Sequence, residues 1–174
     1  GIQIKHGNTQ VGDFATVKGG KRLPKGESLL NEPTPYPYIR VSDMKDHSVC
    51  SKDLRYVPEY LYPNIERYTI SSKDIYVTIA GTIGYPGIIP DELEGSNLTE
   101  NAAKLVFHDP NGICKSFIVY ALRSPQVQKQ FFDRCTVAAQ PKLALHRISS
   151  TAIPLPPLPE QRRIVAYLDG LQAK

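Results

Sequence analysis

Hydrophobic and polar positions alternate in short runs along most of the chain, and the spacing becomes helical only in the last third. The clearest strand is residues 75–79, Ile-Tyr-Val-Thr-Ile, where β-branched and aromatic side chains suit a pleated surface. Residues 71–74 form a turn before it, residues 80–84 turn the chain back, and residues 85–89 return. Residues 11–17 alternate loosely as a strand. Residues 32–37 are proline-rich and extended, and lead into a strand at 38–41 with Ser42 and Asp43 turning after it. Residues 103–107 and 148–153 complete the predicted strands. Asp109-Pro110-Asn111-Gly112 is a strong turn signal.

The apolar run at 113–122 is ambiguous by periodicity alone. It is predicted as a buried helix because Ser124 and Pro125 then offer an N-cap and first-turn pair for a second helix. In that helix Val127, Phe131 and Phe132 share one face, a core stripe. Residues 136–140 are predicted as a loop and 142–147 as a short helical turn. The chain ends on a rigid run in which Pro154, Pro156, Pro157 and Pro159 fix φ and remove donors. From Glu160 an amphipathic helix is predicted: Ile164, Leu168 and Leu171 recur at helical spacing with Val165 beside them, and Gln161, Arg162 and Arg163 lie off that stripe.

A length of 174 residues with 41% hydrophobic content fits one globular domain. No apolar run approaches the roughly 20 residues of a membrane span, and the N-terminus has no signal-peptide pattern. Cys50, Cys114 and Cys135 are odd in number and form no CxxC pair, which argues for a reducing cytoplasm and against a disulfide framework or zinc site. The net charge of +4 permits a polyanionic partner without demanding one. Its distribution says more. Residues 14–26 contain no acid but carry Lys18, Lys21, Arg22 and Lys25, around a Gly19-Gly20 pair that lets backbone approach a ligand closely or make an ordinary turn. Residues 134–159 also contain no acid, and carry Arg134, Lys142 and Arg147 with His146. If the two stretches meet they make a phosphate-binding face; otherwise their lysines are solvated decoration. Tyr56, Tyr60, Tyr62 and Tyr68 suit base stacking, but with no tryptophan and 5 phenylalanines the chain needs tyrosine for its aromatic core.

Catalytic signatures are lacking. Thr34-Pro35-Tyr36-Pro37 departs from the amino-methyltransferase pattern of a polar residue before paired prolines, and no glycine-rich loop seats S-adenosylmethionine or ATP. Pro90-Asp91 is followed by no nuclease-type Asp/Glu-x-Lys. His6, His47, His108 and His146 have no metal-ligand spacing, so neither metal nor cofactor is expected. Gly81, Gly84 and Gly87 fit a bent hairpin better than a nucleotide loop.

The stretch PLPPLPEQRRIVAYLD closely resembles the segment after a target recognition domain in the specificity subunits of type I restriction–modification enzymes. KGGKRLPKG, YIRVSDM, GTIG, TENAAKL and QPKL extend the resemblance along nearly the whole chain. It implies an α+β fold: a single mixed domain, residues 1–153, with a curved, largely antiparallel sheet and a few helices. Residues 154–174 would then be a proline elbow and the start of a projecting spacer or dimerisation helix. Beginning at Gly1 and carrying one such domain, the chain reads as a trimmed piece or a half-subunit. The resemblance further implies reading one half of a bipartite double-stranded DNA target. Methylation and cleavage would fall to methyltransferase (modification) subunits and restriction/translocase subunits, and the C-terminal helix would pair with a second recognition half or with itself. Candidate phosphate contacts are Lys18, Lys21, Arg22, Lys25 and Lys142; candidate base readers are Arg40, Ser42, Thr82, Tyr85, Lys104 and Gln140; Ile164, Leu168 and Leu171 are the candidate helix-packing face. Two alternatives stay open: the recognition part of a methyltransferase or fused restriction enzyme, and a protein-interaction module using the proline run and terminal helix.

Overall fold

The computed structural model describes residues 9–135 and 139–173. In chain order its elements are α1 (Val11–Phe14), β1 (Ala15–Gly19), β2 (Pro37–Ile39), β3 (Met44–Lys45), β4 (Ser48–Val49), β5 (Arg55–Tyr56), α2 (Tyr62–Ile65), β6 (Thr69–Ile70), β7 (Ile75–Ala80), β8 (Thr82–Ile88), β9 (Ser96–Leu98), β10 (Ala102–Phe107), α3 (Lys115–Arg123), α4 (Pro125–Arg134), α5 (Leu145–Ser149) and α6 (Leu158–Gln172).

Two four-stranded sheets stack face to face. The first, in order β1-β10-β7-β8, is antiparallel throughout. The second, β5-β2-β9-β6, contains one parallel pair, β2 with β9. Alternation along the strands assigns the layers. Ile75, Val77 and Ile79 of β7, with Ala103, Leu105 and Phe107 of β10, face a core shared with Phe117, Ile118, Leu122, Val127 and Phe131 from α3 and α4. Tyr76 and Ala102 point the other way, into a second core with Ile39, Met44, Val49, Ile70 and Leu98 between the sheets. A third cluster, Tyr38, Val57, Leu61 and Ile65, covers the outer face of the second sheet.

Tyr76 is wholly buried, and its hydroxyl donates to Ser48 O at 2.6 Å. Its cross-strand partner is Gly87, where a Cβ would stand 2.1 Å from the Tyr76 hydroxyl oxygen. The third glycine of the predicted hairpin is therefore the space that Tyr76 occupies. Between β7 and β8 only Gly81, at φ 74°, makes the turn, tighter than the sequence implied.

Several expectations are corrected. Residues 11–14 are a helical turn, with the strand following at Ala15. Residues 148–153 form no strand: α5 runs to Ser149, and Ala152 makes an isolated bridge with Gln10. Strand β9, at Ser96–Leu98, is not among the predicted strands; its Asn97 is buried and donates to Ile65 O at 2.9 Å. Phe132 is 66% exposed, while Val127 and Phe131 are buried, so the stripe on α4 is narrower than predicted. Part of the predicted 136–140 loop, residues 136–138, lies outside the described residues.

Gln161, placed off the apolar stripe by the sequence, is 2% exposed. Its Oε1 accepts from Cys114 N at 2.9 Å and its Nε2 donates to Pro156 O at 2.8 Å. Three residues before Ile164, it shares that residue's face, and it ties the proline elbow to the start of α3. Farther along, the Tyr120 hydroxyl donates to Asp169 Oδ1. The helix α6 thus lies along α3.

Candidate nucleic-acid interface

The basic stretch after β1 is held by its glycine. Gly20 N donates to Ala102 O and Lys21 N to Leu98 O, and a Cβ on Gly20 would meet Thr99 O at 2.1 Å. The close approach that the glycine pair allows is made to the protein's own strand β9 and its end. Tyr38 secures the next peptide: its hydroxyl donates to Lys21 O at 2.9 Å. Burial pushes that phenol well above its ordinary pKa, so it stays a donor. Lys21 and Arg22 are consequently exposed side chains on a fixed backbone, with the Lys21 ammonium 5.9 Å from the Tyr68 ring centroid.

This stretch forms one wall of an open cleft of about 1250 Å³. Lys21, Arg22 and Lys25 line it together with Arg40, Ser42 and Arg55. Five of the sequence-predicted residues are thereby brought together. Arg40 is already engaged: its Nε and Nη2 donate to the two oxygens of Asp43, at 3.2 and 3.0 Å, and Nη2 also donates to Asp53 O. Arg55 pairs with the Asp53 carboxylate and holds it below the usual carboxylate range. The cleft carboxylate Glu27 accepts from the Tyr60 hydroxyl, and Glu100 Oε2 lies 3.3 Å from the Tyr38 hydroxyl oxygen. Lys21, Arg22 and Lys25 are the lining cations with no carboxylate partner among the described residues, and the Glu27 and Glu100 charges offset them in part.

Val41, at the edge of this cleft, also lines a smaller hollow of about 410 Å³ with Thr82 and Tyr85 of β8. The end of β7 before the glycine turn carries a further segment, since Lys142 forms a bridge with Ala80 and Leu143 N donates to Ile79 O; neither Lys142 nor Gln140 lines the cleft or the hollow. Gln140 is exposed two residues earlier. The second acid-poor stretch therefore meets the glycine turn.

Lys18 and Lys104 lie apart from the cleft lining, facing each other across β1 and β10. Lys104 is half-buried and its ammonium donates to Thr69 O at 2.5 Å. Burial lowers its pKa, with the Asp74 carboxylate partly offsetting this. On α6, Ile164 and Val165 pack on the domain's own main core, while Leu171 is 49% and Tyr167 63% exposed.

Sequence reasoning missed Lys45, Asp46 and Arg55. Lys45 ends β3 and Asp46 opens the two-residue hairpin turn, in which Asp46 and His47 both have positive φ, 53° and 56°. Neither position is glycine, so the usual signal for such a turn was lacking. Among the described residues no group of His, Cys, Asp or Glu is arranged to hold a metal ion. No helix among them is long and apolar enough to cross a membrane.

The model of the type I restriction modification DNA specificity domain matches residues 6–174. The chain belongs to this family. It is 29% identical over 135 residues to the type I restriction enzyme EcoBI specificity subunit of Escherichia coli, a match covering 78% of this chain and 28% of that protein. A chain from a solved type I R-M system superposes with a TM-score of 0.72 at 19% identity, and the HsdS subunit from Thermoanaerobacter tengcongensis with 0.69 at 20%. Each covers 95% of this chain, and this chain covers 37% of each. The likeness to the two structures is one of fold, and it extends the mixed two-sheet architecture across the chain. Family membership favours neither the methyltransferase alternative nor the protein-interaction alternative.

Proposed function

We propose that the chain is a DNA sequence-recognition module that reads one half of a split duplex target and supplies that address to chemistry carried by other subunits. The observation carrying this reading is the open cleft, in which Lys21, Arg22 and Lys25 stand on a backbone held by Gly20 and Tyr38, in a chain of the specificity-domain family. Three mobile cations on a rigid ledge suit phosphates, which fix register without reading sequence. Thr82 in the neighbouring hollow, and Lys142 and Gln140 near the glycine turn, are proposed to lie against base edges or the backbone beyond, while Tyr85 supports the surface from beneath through His47. Arg40 organises the cleft through Asp43 and Asp53 rather than reaching out of it.

Residues 1–153 are the recognition domain in this reading, and 154–174 are the elbow and the start of a spacer helix. The module acts in the cytoplasm without catalysis of its own. Its partners are modification subunits, restriction/translocase subunits and a second recognition half met through α6. With Ile164 packed on its own domain, half-buried Leu168 and exposed Tyr167 and Leu171 are the side chains left for that helix contact.

The test is anisotropy titration of short random duplexes at several salt concentrations. Affinity should fall with salt by about 0.9 in log–log slope per phosphate contacted. Replacing Lys21 and Arg22 together by alanine should weaken binding to every sequence alike and reduce that slope by up to about 2. Binding indifferent to salt, or an unchanged double variant, would remove the cleft from the interface.

A further inference from the structure

Among the described residues, the hairpin β3–β4 holds the two non-glycine residues with positive φ. Its two-residue turn places Asp46 and His47 in the left-handed region, which side-chain-bearing residues rarely adopt. The strain is held by contacts from beneath. His47 N donates to the Tyr85 hydroxyl at 2.8 Å, and the His47 ring stacks on the Tyr85 ring with centroids 4.4 Å apart. His47 Nδ1 meets Pro86 O at 2.7 Å, Ile88 N donates to His47 O, and the Tyr76 hydroxyl donates to Ser48 O. A short two-stranded ribbon is thereby clamped to β8 on one side.

The other side is open. Lys45 and Asp46 are exposed, and neither makes an ion pair or side-chain hydrogen bond among the described residues. Both line the hollow shared with Thr82 and Tyr85, next to the basic cleft. A carboxylate fixed on a phosphate-facing surface opposes binding unless it meets a donor. On duplex DNA the donors open to a carboxylate are base amino groups, and the cytosine amino group in the major groove is the usual partner of an aspartate. Lysine meets the guanine O6 and N7 acceptors there, and that groove admits a two-stranded ribbon. A rigid backbone at such a tip is a recurrent feature of functional sites.

We propose that the Met44–Val49 hairpin is a base-reading element entering the major groove, with Asp46 accepting from a cytosine amino group and Lys45 donating to guanine, so that the half-site contains a G·C pair where the tip lands. This rests on the DNA-reading function proposed above and names the residues that would carry its specificity.

The test is selection from a pool of random duplexes with the full chain, repeated with Asp46→Asn and Lys45→Ala. Asparagine tolerates the left-handed turn, so the first variant keeps the fold. At the cytosine position Asp46→Asn should lower discrimination at least about fivefold, and its amide should shift preference toward adenine. Affinity for unselected DNA should stay level or rise, because a negative charge has left the surface. Lys45→Ala should relax the choice of guanine while leaving the other positions of the consensus intact. An unchanged consensus in both variants would overturn the proposal. So would an even loss of affinity across all sequences, which marks grip or a damaged fold. If the wild-type chain enriches nothing from the pool, the DNA-reading function fails first and this element with it.

Discussion

Replacing Gln161 by alanine should cost the domain more than any exposed change on the same helix. The side chain is 2% exposed and makes two hydrogen bonds at good distances, to Cys114 N and Pro156 O. Each contributes about 0.5–1.5 kcal/mol net, and a buried partner left unpaired adds a desolvation penalty of about 1–3 kcal/mol. A destabilisation of about 2–4 kcal/mol follows, with the unpaired groups dominating. For a chain of this size that lowers the melting temperature by about 4–16 °C. Urea unfolding at equilibrium measures it, with exposed Arg162→Ala as the reference expected to change stability by under about 0.5 kcal/mol. Glutamate at 161 should not rescue the loss at neutral pH. Its carboxylate still accepts from Cys114 N but faces the Pro156 carbonyl without a donor. If Gln161→Ala unfolds with Arg162→Ala, the glutamine is no lock and the elbow is held by its prolines and apolar contacts.

Gly87→Ala should destabilise by about 1–3 kcal/mol or more, since the new methyl would overlap the Tyr76 hydroxyl, and chemical denaturation will show it. The buried Asp74 has a pKa raised first by desolvation, against the Ser71 amide and the Lys104 charge that lower it. Its folded pKa lies above its unfolded one, so its contribution to stability falls as pH rises from the unfolded value through the folded value. Asp74→Asn, whose amide oxygen still accepts from Ser71 N, should therefore match the wild type at low pH and exceed it at neutral pH; denaturation midpoints at the two pH values check this. Ile164→Asp should unfold the domain, because that side chain packs on the main core, whereas Tyr167→Asp with Leu171→Asp should leave folding intact and abolish any helix-mediated association seen by sedimentation.

The strands with the densest β-branched content and the capped helices were legible because local chemistry and burial agree there. Residues 75–80 became β7, and Ser124 caps α4 through a bond accepted from Val127 N. Strand β9 was not legible, because Asn97 belongs to a buried strand only once α2 offers it a carbonyl. Gln161 was missed for the same reason: a polar residue on an apolar face is explained by partners distant in sequence. In the candidate interface the cations of 18–25 were visible as an acid-free run, and the structure divides them, with Lys18 away from the cleft. Arg40 was visible as a cation but not as one engaged by Asp43 and Asp53. Lys45 and Asp46 gave no signal, since their turn depends on Tyr85 and Pro86 some forty residues away.

The central claim is that this chain discriminates among DNA sequences, and competition between duplexes measures it most directly. A half-site enriched by selection should outcompete scrambled duplex of equal length at fixed salt, with each single base-pair change costing about 1–3 kcal/mol. Equal competition by selected and scrambled duplex would contradict it.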